Sequence, residues 1–261
     1  MAPFRGEGLV LRSNFSSSRL VRLLGDGMPA PAESPRQDVA ERLGQWLNVA
    51  DAIALHAAHQ SIQAMASAKP ARARAHGTGR ATALTAEFQR VRATLTQAIQ
   101  TPPPTGASTK RHRHALPASV LPLDAEAPPA APDISFAPFQ QRYQEHQRRM
   151  DMSLEALRGH VRQTLASATP ALAQLAALDA VLDPLLGGRE QKMLATVPAF
   201  LERRFDQLRQ QHPTEPDAPA AAPSWLASFE PTFQATLLAE LDVRLQPVLG
   251  MIEALSNSVN Q

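Results

Sequence analysis

The chain has 261 residues, of which 44% are hydrophobic and only 5% aromatic, with no cysteine and a formal net charge of +2. This length and apolar content are enough for a sizeable core, which disfavours a wholly disordered chain. The lack of cysteine excludes disulfides, thiolate metal sites and cysteine nucleophiles, and it fits a reducing compartment. The hydrophobic residues are mostly Ala and Leu, which favours closely packed helices over a β-rich fold.

The N-terminal segment, residues 1–33, predicts one short helix followed by a flexible Pro/Ala-rich stretch. Ser16–Ser18 offer N-caps, Leu20–Leu24 supply an apolar face, and Gly25–Gly27 ends the helix. Arginines interrupt the apolar residues here, so the segment lacks the continuous apolar run of a secretory signal. No stretch of the chain reaches the roughly 18 uninterrupted apolar residues of a membrane span. We therefore expect no transmembrane segment and a cytoplasmic location.

Residues 34–101 predict an N-terminal helical half. Ser34 caps a long amphipathic helix, whose apolar residues keep spacings of three and four for about seven turns. This helix breaks at Lys69–Pro70, and a basic, glycine-containing loop leads to a second helix that begins near Arg80. Residues 102–134 follow; they are rich in proline, contain a basic cluster and predict a flexible linker.

Residues 135–212 predict a C-terminal helical bundle. Ser135 caps its first helix, which ends near Thr169–Pro170. A Leu/Ala-rich helix follows and stops at Gly187-Gly188, and the next helix is kinked at Pro198. Antiparallel packing through the short connections is expected.

The C-terminal helix, residues 224–261, follows a second Pro-rich linker at residues 213–223. Its apolar residues form a continuous stripe, interrupted only at Pro247. A helix beyond such a tether packs on its own half, on another copy or on the helices of a partner. An intramolecular core is one interpretation, and association with a protein partner or a second copy is our leading hypothesis. The candidate interaction residues are Phe229, Phe233, Leu237, Leu241, Leu245, Val248 and Ile252.

The charges are unevenly distributed. Residues 69–92 contain six basic residues against Glu87, a net charge of +5, whereas residues 213–261 contain six acidic residues against Arg244, a net charge of −5. This polarity suits pairing with a partner or between the two halves, although such stretches are also common as solvated surface. Clustered cations also suit nucleic-acid phosphates or an anionic membrane surface. The candidate basic patch, in segments 69–92 and 110–114, is Arg72, Arg74, Arg80, Lys110, Arg111 and Arg113.

The sequence contains no recognisable catalytic or cofactor-binding constellation. Gly77-Thr78-Gly79 follows no predicted strand and lacks the lysine of a phosphate-binding loop. His56 and His59 share a helical face, but no third ligand is spaced to complete a metal site. Asp179 and Asp183 lie one turn apart near a helix end and are expected to be surface acids rather than an acid–base pair. We therefore predict no enzymatic activity, no cofactor and no metal site.

The run Arg36-Gln-Asp-Val-Ala-Glu-Arg-Leu-Gly-Gln-Trp-Leu-Asn-Val-Ala-Asp-Ala-Ile-Ala-Leu55, with Ser18–Leu24 before it, resembles an uncharacterised proteobacterial family, a domain of unknown function. The resemblance extends over much of the chain, including Phe139–Leu157. It implies no activity and no site residues. It does imply an accessory role in an assembly linked to the cell envelope.

These features predict an all-α protein of two helical halves, with bundle or coiled-coil-like packing, joined by a disordered Pro-rich linker. The predicted function is that of a non-enzymatic interaction or scaffold protein that binds a protein partner or a second copy through amphipathic helices. The alternative function is nucleic-acid binding through segments 69–92 and 110–114.

Overall fold

The computed structural model describes residues 18–25, 48–66, 77–101, 135–212 and 224–259. Every regular element in these ranges is an α-helix, which confirms the predicted all-α class. The helices are α1 (Arg19–Gly25), α2 (Val49–Ala66), α3 (Gly77–Gln100), α4 (Ala137–Ala166), α5 (Pro170–Leu194), α6 (Thr196–Gln211) and α7 (Ser224–Val259).

Helix α2 begins at a reciprocal pair of hydrogen bonds between side chains and backbone. The amide of Asp51 donates to Oδ1 of Asn48 at 2.8 Å, and the amide of Asn48 donates to Oδ2 of Asp51 at 3.0 Å. These bonds satisfy two of the backbone donors that the N-terminus of a helix leaves unpaired. The sequence pattern missed this cap, and the start that it predicts at Ser34 lies outside the described residues.

The N-termini of α4 and α5 differ in their capping. Phe136, and not Ser135 as predicted, occupies the cap position of α4, and no side chain caps this end. At α5, the hydroxyl of Thr169 accepts a hydrogen bond from the amide of Leu172 at 3.3 Å. The predicted break at Thr169–Pro170 is therefore confirmed, because a capping threonine and a proline at the first helical position both favour a helix start there.

The boundary between α5 and α6 lies later than predicted. Helix α5 continues through Gly187 and Gly188, neither of which has a positive φ, and it ends at Leu194. The predicted stop at the two glycines is therefore wrong. The helix ends four residues before Pro198, which lacks the amide hydrogen that would bond to the carbonyl of Leu194. Only Ala195 separates the two helices, and Pro198 lies in the first turn of α6, where no amide donor is needed.

Helix α7 lies at the centre of the hydrophobic core. It packs against α1, α3, α4 and α6. At its N-terminal end it forms an aromatic cluster with residues of α4 and α6, in which the rings of Phe139 and Phe229 meet edge to face with centroids 4.9 Å apart. Such edge contacts add to the free energy gained by burying the rings. The other members of the cluster are Phe136, Phe205, Trp225 and Phe233.

Trp225 is the cluster member with an unusual polar atom. Its ring packs edge to face on Phe205, with the centroids 5.0 Å apart, and the residue is 3% exposed. Its Nε1 is buried and has no hydrogen-bond acceptor among the described residues. The indole is therefore buried against an aromatic ring, without a polar partner among the described residues.

Helices from both sides of residues 102–134 share this core. Leu84, Phe88, Leu95 and Ile99 of α3 are buried in the same cluster as the apolar residues of α4 and α7. The described helices thus form one connected hydrophobic core, to which both predicted halves contribute. The predicted linkers at 102–134 and 213–223 lie outside the described residues, and the division into segments stays a prediction.

Helices α2 and α5 form an outer layer on this core. Helix α5 packs against α4 on one side and against α2 on the other. The side-chain amide of Gln174 in α5 donates to the carbonyl oxygen of Ile62 in α2 at 3.0 Å. Among residues 48–64, none is buried, so α2 lies at the surface of the described structure.

Candidate interaction surface and buried polar groups

The seven candidate interaction residues of the last helix lie inside the protein. Each is between 0% and 3% exposed, and all belong to the hydrophobic core. They contact other helices of the same chain, so they form no surface at which a partner could dock. The hypothesis of association through this stripe is therefore corrected: the stripe is the intramolecular core, which was the other interpretation of the pattern.

Of the six residues in the candidate basic patch, only Arg80 is described. It is exposed near the N-terminus of α3, and its Nη1 lies 3.5 Å from the hydroxyl of Ser167. The other five, Arg72, Arg74, Lys110, Arg111 and Arg113, lie outside the described residues. Nucleic-acid binding through this patch stays a prediction.

One ion pair joins the basic stretch to the acidic C-terminal region. Nη2 of Arg92 in α3 lies 3.0 Å from Oδ1 of Asp242 in α7. The two side chains are 48% and 40% exposed, and such a pair contributes no more than about 1 kcal/mol to stability. The basic stretch and the acidic C-terminal region are thus paired with each other, in part, within the chain.

His56 and His59 lie on the exposed side of α2. Each ring is engaged one turn along the helix: Nε2 of His56 lies 2.9 Å from Nε2 of Gln60, and Nε2 of His59 lies 2.9 Å from Nε2 of Gln63. Within the described ranges, no three side chains of His, Cys, Asp or Glu are placed to hold a metal ion. The two histidines are therefore surface residues hydrogen-bonded to neighbouring glutamines.

Asp179 and Asp183 of α5 are both paired with arginines; Asp179 is not the surface acid that the sequence predicts, whereas the side chain of Asp183 is 37% exposed. Two arginines one turn apart on α4, Arg158 and Arg162, each contact both carboxylates, with the Arg158–Asp179 pair at 2.6 Å. The side chain of Asp179 is only 11% exposed. The four charges form a cluster that ties α5 to α4, and the sequence prediction failed because the arginines lie in a different helix.

The arginine contacts also decide the ionisation of Asp179. Burial raises the pKa of this carboxyl group, but hydrogen bonds from Arg158 and Arg162 outweigh that effect, so its pKa is below the ordinary value. An aspartate that is held ionised by two guanidinium groups cannot act as a proton donor near neutral pH.

A second polar network lies deeper, between α4 and α7. Glu240 is 0% exposed, and its carboxylate accepts hydrogen bonds from the hydroxyl of Tyr143 at 2.7 Å and from Nε of Arg244 at 2.9 Å. Gln147 donates to Oε1 of the same carboxylate at 3.2 Å, the oxygen that Arg244 also contacts, and Arg244 pairs in addition with Asp151. Burial and the neighbouring carboxylate of Glu240 both raise the pKa of Tyr143 well above its ordinary value.

This network was missed by the sequence interpretation. The spacing of Glu240 and Arg244 by four residues is a signal of a helical ion pair. Nothing in the local pattern shows that Glu240 faces Tyr143, 97 residues earlier in the chain. The buried carboxylate has all its close partners within the protein, so its evident role is to fix α4 against α7.

Arg142 and Glu230 form a third contact between α4 and α7. Two parallel hydrogen bonds of 2.8 and 2.9 Å join the guanidinium to the carboxylate. The same guanidinium lies 4.8 Å from the ring centroid of Phe233, so it also covers the aromatic cluster. Burial raises the pKa of Glu230, but hydrogen bonds from Arg142 and Gln234 outweigh that effect, so its pKa is below the ordinary value.

The described structure also contains a shallow open groove of about 430 Å³ between α3 and α7. Three of its hydroxyl groups donate within their own helices: Thr82 and Thr85 to the carbonyl oxygens of Thr78 and Ala81 in α3, and Ser256 to that of Ile252 in α7. None of its lining residues is ionisable, so the groove offers no acid, base or charged ligand for chemistry. They are Thr78, Ala81, Thr82, Thr85, Ala86, Gln89, Ser256 and Val259.

The exposed apolar residues of α2 were not singled out by the sequence analysis. Val49 is 78% exposed and Ile53 is 65% exposed, and they lie one turn apart on the same side of the helix. Among residues 49–64 of α2, four positions are half-buried, and these face α5: Asp51, Leu55, Ala58 and Ile62. The low count of charged residues in α2 was the available signal, since Asp51 is the single Asp, Glu, Lys or Arg in its 18 residues.

One helical segment passes a test of length and composition for crossing a membrane. This segment, Pro170–Gln211, contains a window with a mean hydropathy of 1.3, of which 17% is buried. Core helices of soluble proteins pass the same test. The segment comprises both α5 and α6 and includes the ion-paired Asp179 and Asp183, and the cytoplasmic location stays a prediction.

The described helices define an all-α protein with one hydrophobic core, internal ion-pair networks and an apolar outer helix. The family described as "Protein of unknown function (DUF3348)" matches residues 9–257, so the chain belongs to that family. This confirms the expected membership of a family of unknown function. Comparisons with curated proteins and with solved structures gave no match.

Proposed function

We propose that the protein acts without enzymatic chemistry, as a helical interaction or scaffold protein that binds another protein chain through α2, supported by α5. The observation that carries this proposal is the exposure of α2. Helix α2 has a single Asp, Glu, Lys or Arg in its 18 residues, yet only one of its faces is covered among the described residues. Exposed apolar surface of this kind is typical of a binding site.

The polar groups of the core support the same proposal. The carboxylates of Asp179, Glu230 and Glu240 each accept hydrogen bonds from arginine. The arginines hold Asp179 and Glu230 ionised and fix the orientation of all three carboxylates, which suits a structural role and not proton transfer. An accessory role in an envelope-linked assembly, which the family resemblance implies, is consistent with an interaction protein and stays a prediction.

The test uses the natural lack of cysteine, because a single introduced thiol can be labelled without side reactions. We would place a nitroxide at Ile53→Cys and, as the matched control, at Met152→Cys. Met152 is an equally exposed apolar residue, at 69%, on α4. The mobility of each label is measured by electron paramagnetic resonance in the purified chain at low and high concentration, and again with an extract of cells that make the protein naturally.

We expect the label at position 53 to lose mobility when a protein covers α2, either at high concentration or in the extract. The label at position 152 should remain mobile in every sample. A label at position 53 that stays mobile throughout would refute the proposal.

A further inference from the structure

The outer side of α2 carries a stripe without formal charge. Val49, Ile53, Ala57, Gln60 and Ala64 are all exposed and recur at spacings of three and four, so they lie along one line of the helix. We call these five residues the outer stripe. The half-buried residues that face α5 lie on the opposite side, so the outer stripe points away from the rest of the described protein.

We propose that the outer stripe pairs with the same stripe of a second copy of this chain, in an antiparallel arrangement about a two-fold axis near Ala57. This inference rests on the proposed function, since it names the partner that α2 binds. It also replaces the corrected hypothesis that self-association uses the buried stripe of α7.

The lack of charge favours a second copy over a different partner. Between different proteins, complementary charges raise the association rate and the specificity, and the outer stripe carries no charge for a different partner to complement. A two-fold contact, in contrast, places identical surfaces against each other, and here no like charges meet. Antiparallel pairing also sets the opposite ends of the two helix dipoles side by side.

The size of the stripe predicts a reversible dimer. A helix of 18 residues is about 27 Å long and about 10 Å wide, so its outer half presents roughly 500 Å² of accessible surface. Two copies would bury roughly 1,000 Å² in total, which is at the lower limit for a specific interface. The small side chain of Ala57 at the centre permits the close helix approach that such a small contact needs.

The experiment is light scattering with sedimentation equilibrium on the purified full chain over a wide concentration range. We expect a mass that rises from one chain to two. Ile53→Glu should weaken the dimer by roughly a hundredfold or more, because the two-fold places the lost apolar contact and the new charge in the interface twice. Met152→Glu, which adds the same charge at a site of similar exposure on α4, should leave the dissociation constant unchanged.

A second variant tests the axis directly. A disulfide requires the two Cα atoms to lie within about 7 Å of each other, so Ala57→Cys should form a covalent dimer under mild oxidation, whereas Met152→Cys should not. Circular dichroism confirms that each variant is folded.

A chain that remains monomeric at every concentration would overturn the second-copy proposal, as would equal effects of the two glutamate variants or equal crosslinking of the two cysteine variants. If the purified chain is monomeric but the label at position 53 is immobilised by the cell extract, the proposed function stands and the partner is a different protein. If the purified chain is monomeric and that label stays mobile even in the extract, both proposals fail.

Discussion

The core around α7 and the outer layer of α2 and α5 are both rich in apolar residues, but they use them differently. Helices α4 and α6 place their apolar residues on one side and their charges on the other, and the apolar sides are buried against α7. Helices α2 and α5 show no clear division into an apolar and a charged side; no described side chain of α2 is buried, and only Leu172, Ala176 and Leu194 of α5 are. The number of apolar residues in a helix therefore does not by itself decide how much of that helix is buried.

The most direct test of this difference in burial is to truncate one side chain in each region. Leu237→Ala removes a core side chain that is 0% exposed, and we expect the free energy of unfolding to fall by about 3 kcal/mol, since a buried cavity is left. Ile53→Ala, at 65% exposure, should change it by no more than about 0.5 kcal/mol. Urea unfolding followed by circular dichroism, at a concentration where the chain is monomeric, measures both values. Equal losses would show that α2 is as well buried as the core.

A substitution in the charge cluster tests how the outer layer is attached to the core. Asp179→Ala leaves Arg158 and Arg162 with one carboxylate between them, and we expect a local loss of about 1 to 3 kcal/mol. Amide hydrogen exchange should accelerate in α2 and α5 but not in α7, because the cluster holds α5 onto α4. The exposed i, i+4 pair on α4 provides the control: Glu145→Ala should alter exchange nowhere by a measurable factor. Faster exchange in α7 as well would mean that the two regions unfold together.

The smallest expected effect depends on pH and concerns the core. Burial, and then the positive charges of Arg142 and Arg149, lower the pKa of His146 below 6.5. The unfolded chain therefore binds a proton more readily than the folded chain, so stability falls as the pH drops from about 6.5 towards the folded-state pKa of this residue. In the His146→Gln variant the urea midpoint should stay nearly constant across that pH interval. The pH-dependent change in the stability of the wild type that is lost in the variant should be under about 1 kcal/mol. A wild-type midpoint that does not change there would contradict this assignment.

A second, more acidic transition should remain in the His146→Gln variant. Asp179 and Glu230 have lowered pKa values, so their contribution to stability is complete above about pH 4.5 and is lost as the pH falls through their folded-state pKa values. The two intervals are therefore separable in one titration.

The helices themselves were largely predictable from the sequence, because apolar spacing and caps are local signals. The last helix, predicted at 224–261, spans Ser224–Val259, and it runs through Pro231 and Pro247. The boundary between α5 and α6 was not predicted correctly, since two glycines looked like a stronger stop than one proline. Helix α5 runs through Pro184 and through two glycines without a positive φ, and it ends at Leu194, four residues before Pro198.

The sequence pattern does not predict which helices pack against each other. The apolar series of α2 and that of α7 have the same spacing, yet one lies at the surface and the other in the core. Which series is buried depends on contacts between residues far apart in the chain, such as Tyr143 with Glu240. A periodic pattern carries no information on those partners, so it could not show that the apolar series of α7 is buried within the chain.

The apolar surroundings of Trp225 also give the protein a built-in optical reporter. An indole that is screened from water and lacks a hydrogen bond at Nε1 emits at short wavelength, and its emission moves to longer wavelength once water reaches the ring. The chain has only two tryptophans, so Trp46→Phe leaves Trp225 as the sole emitter. Its colour then reports the junction of α6 and α7 alone, and a change in it would register the opening of the core independently of any event at α2.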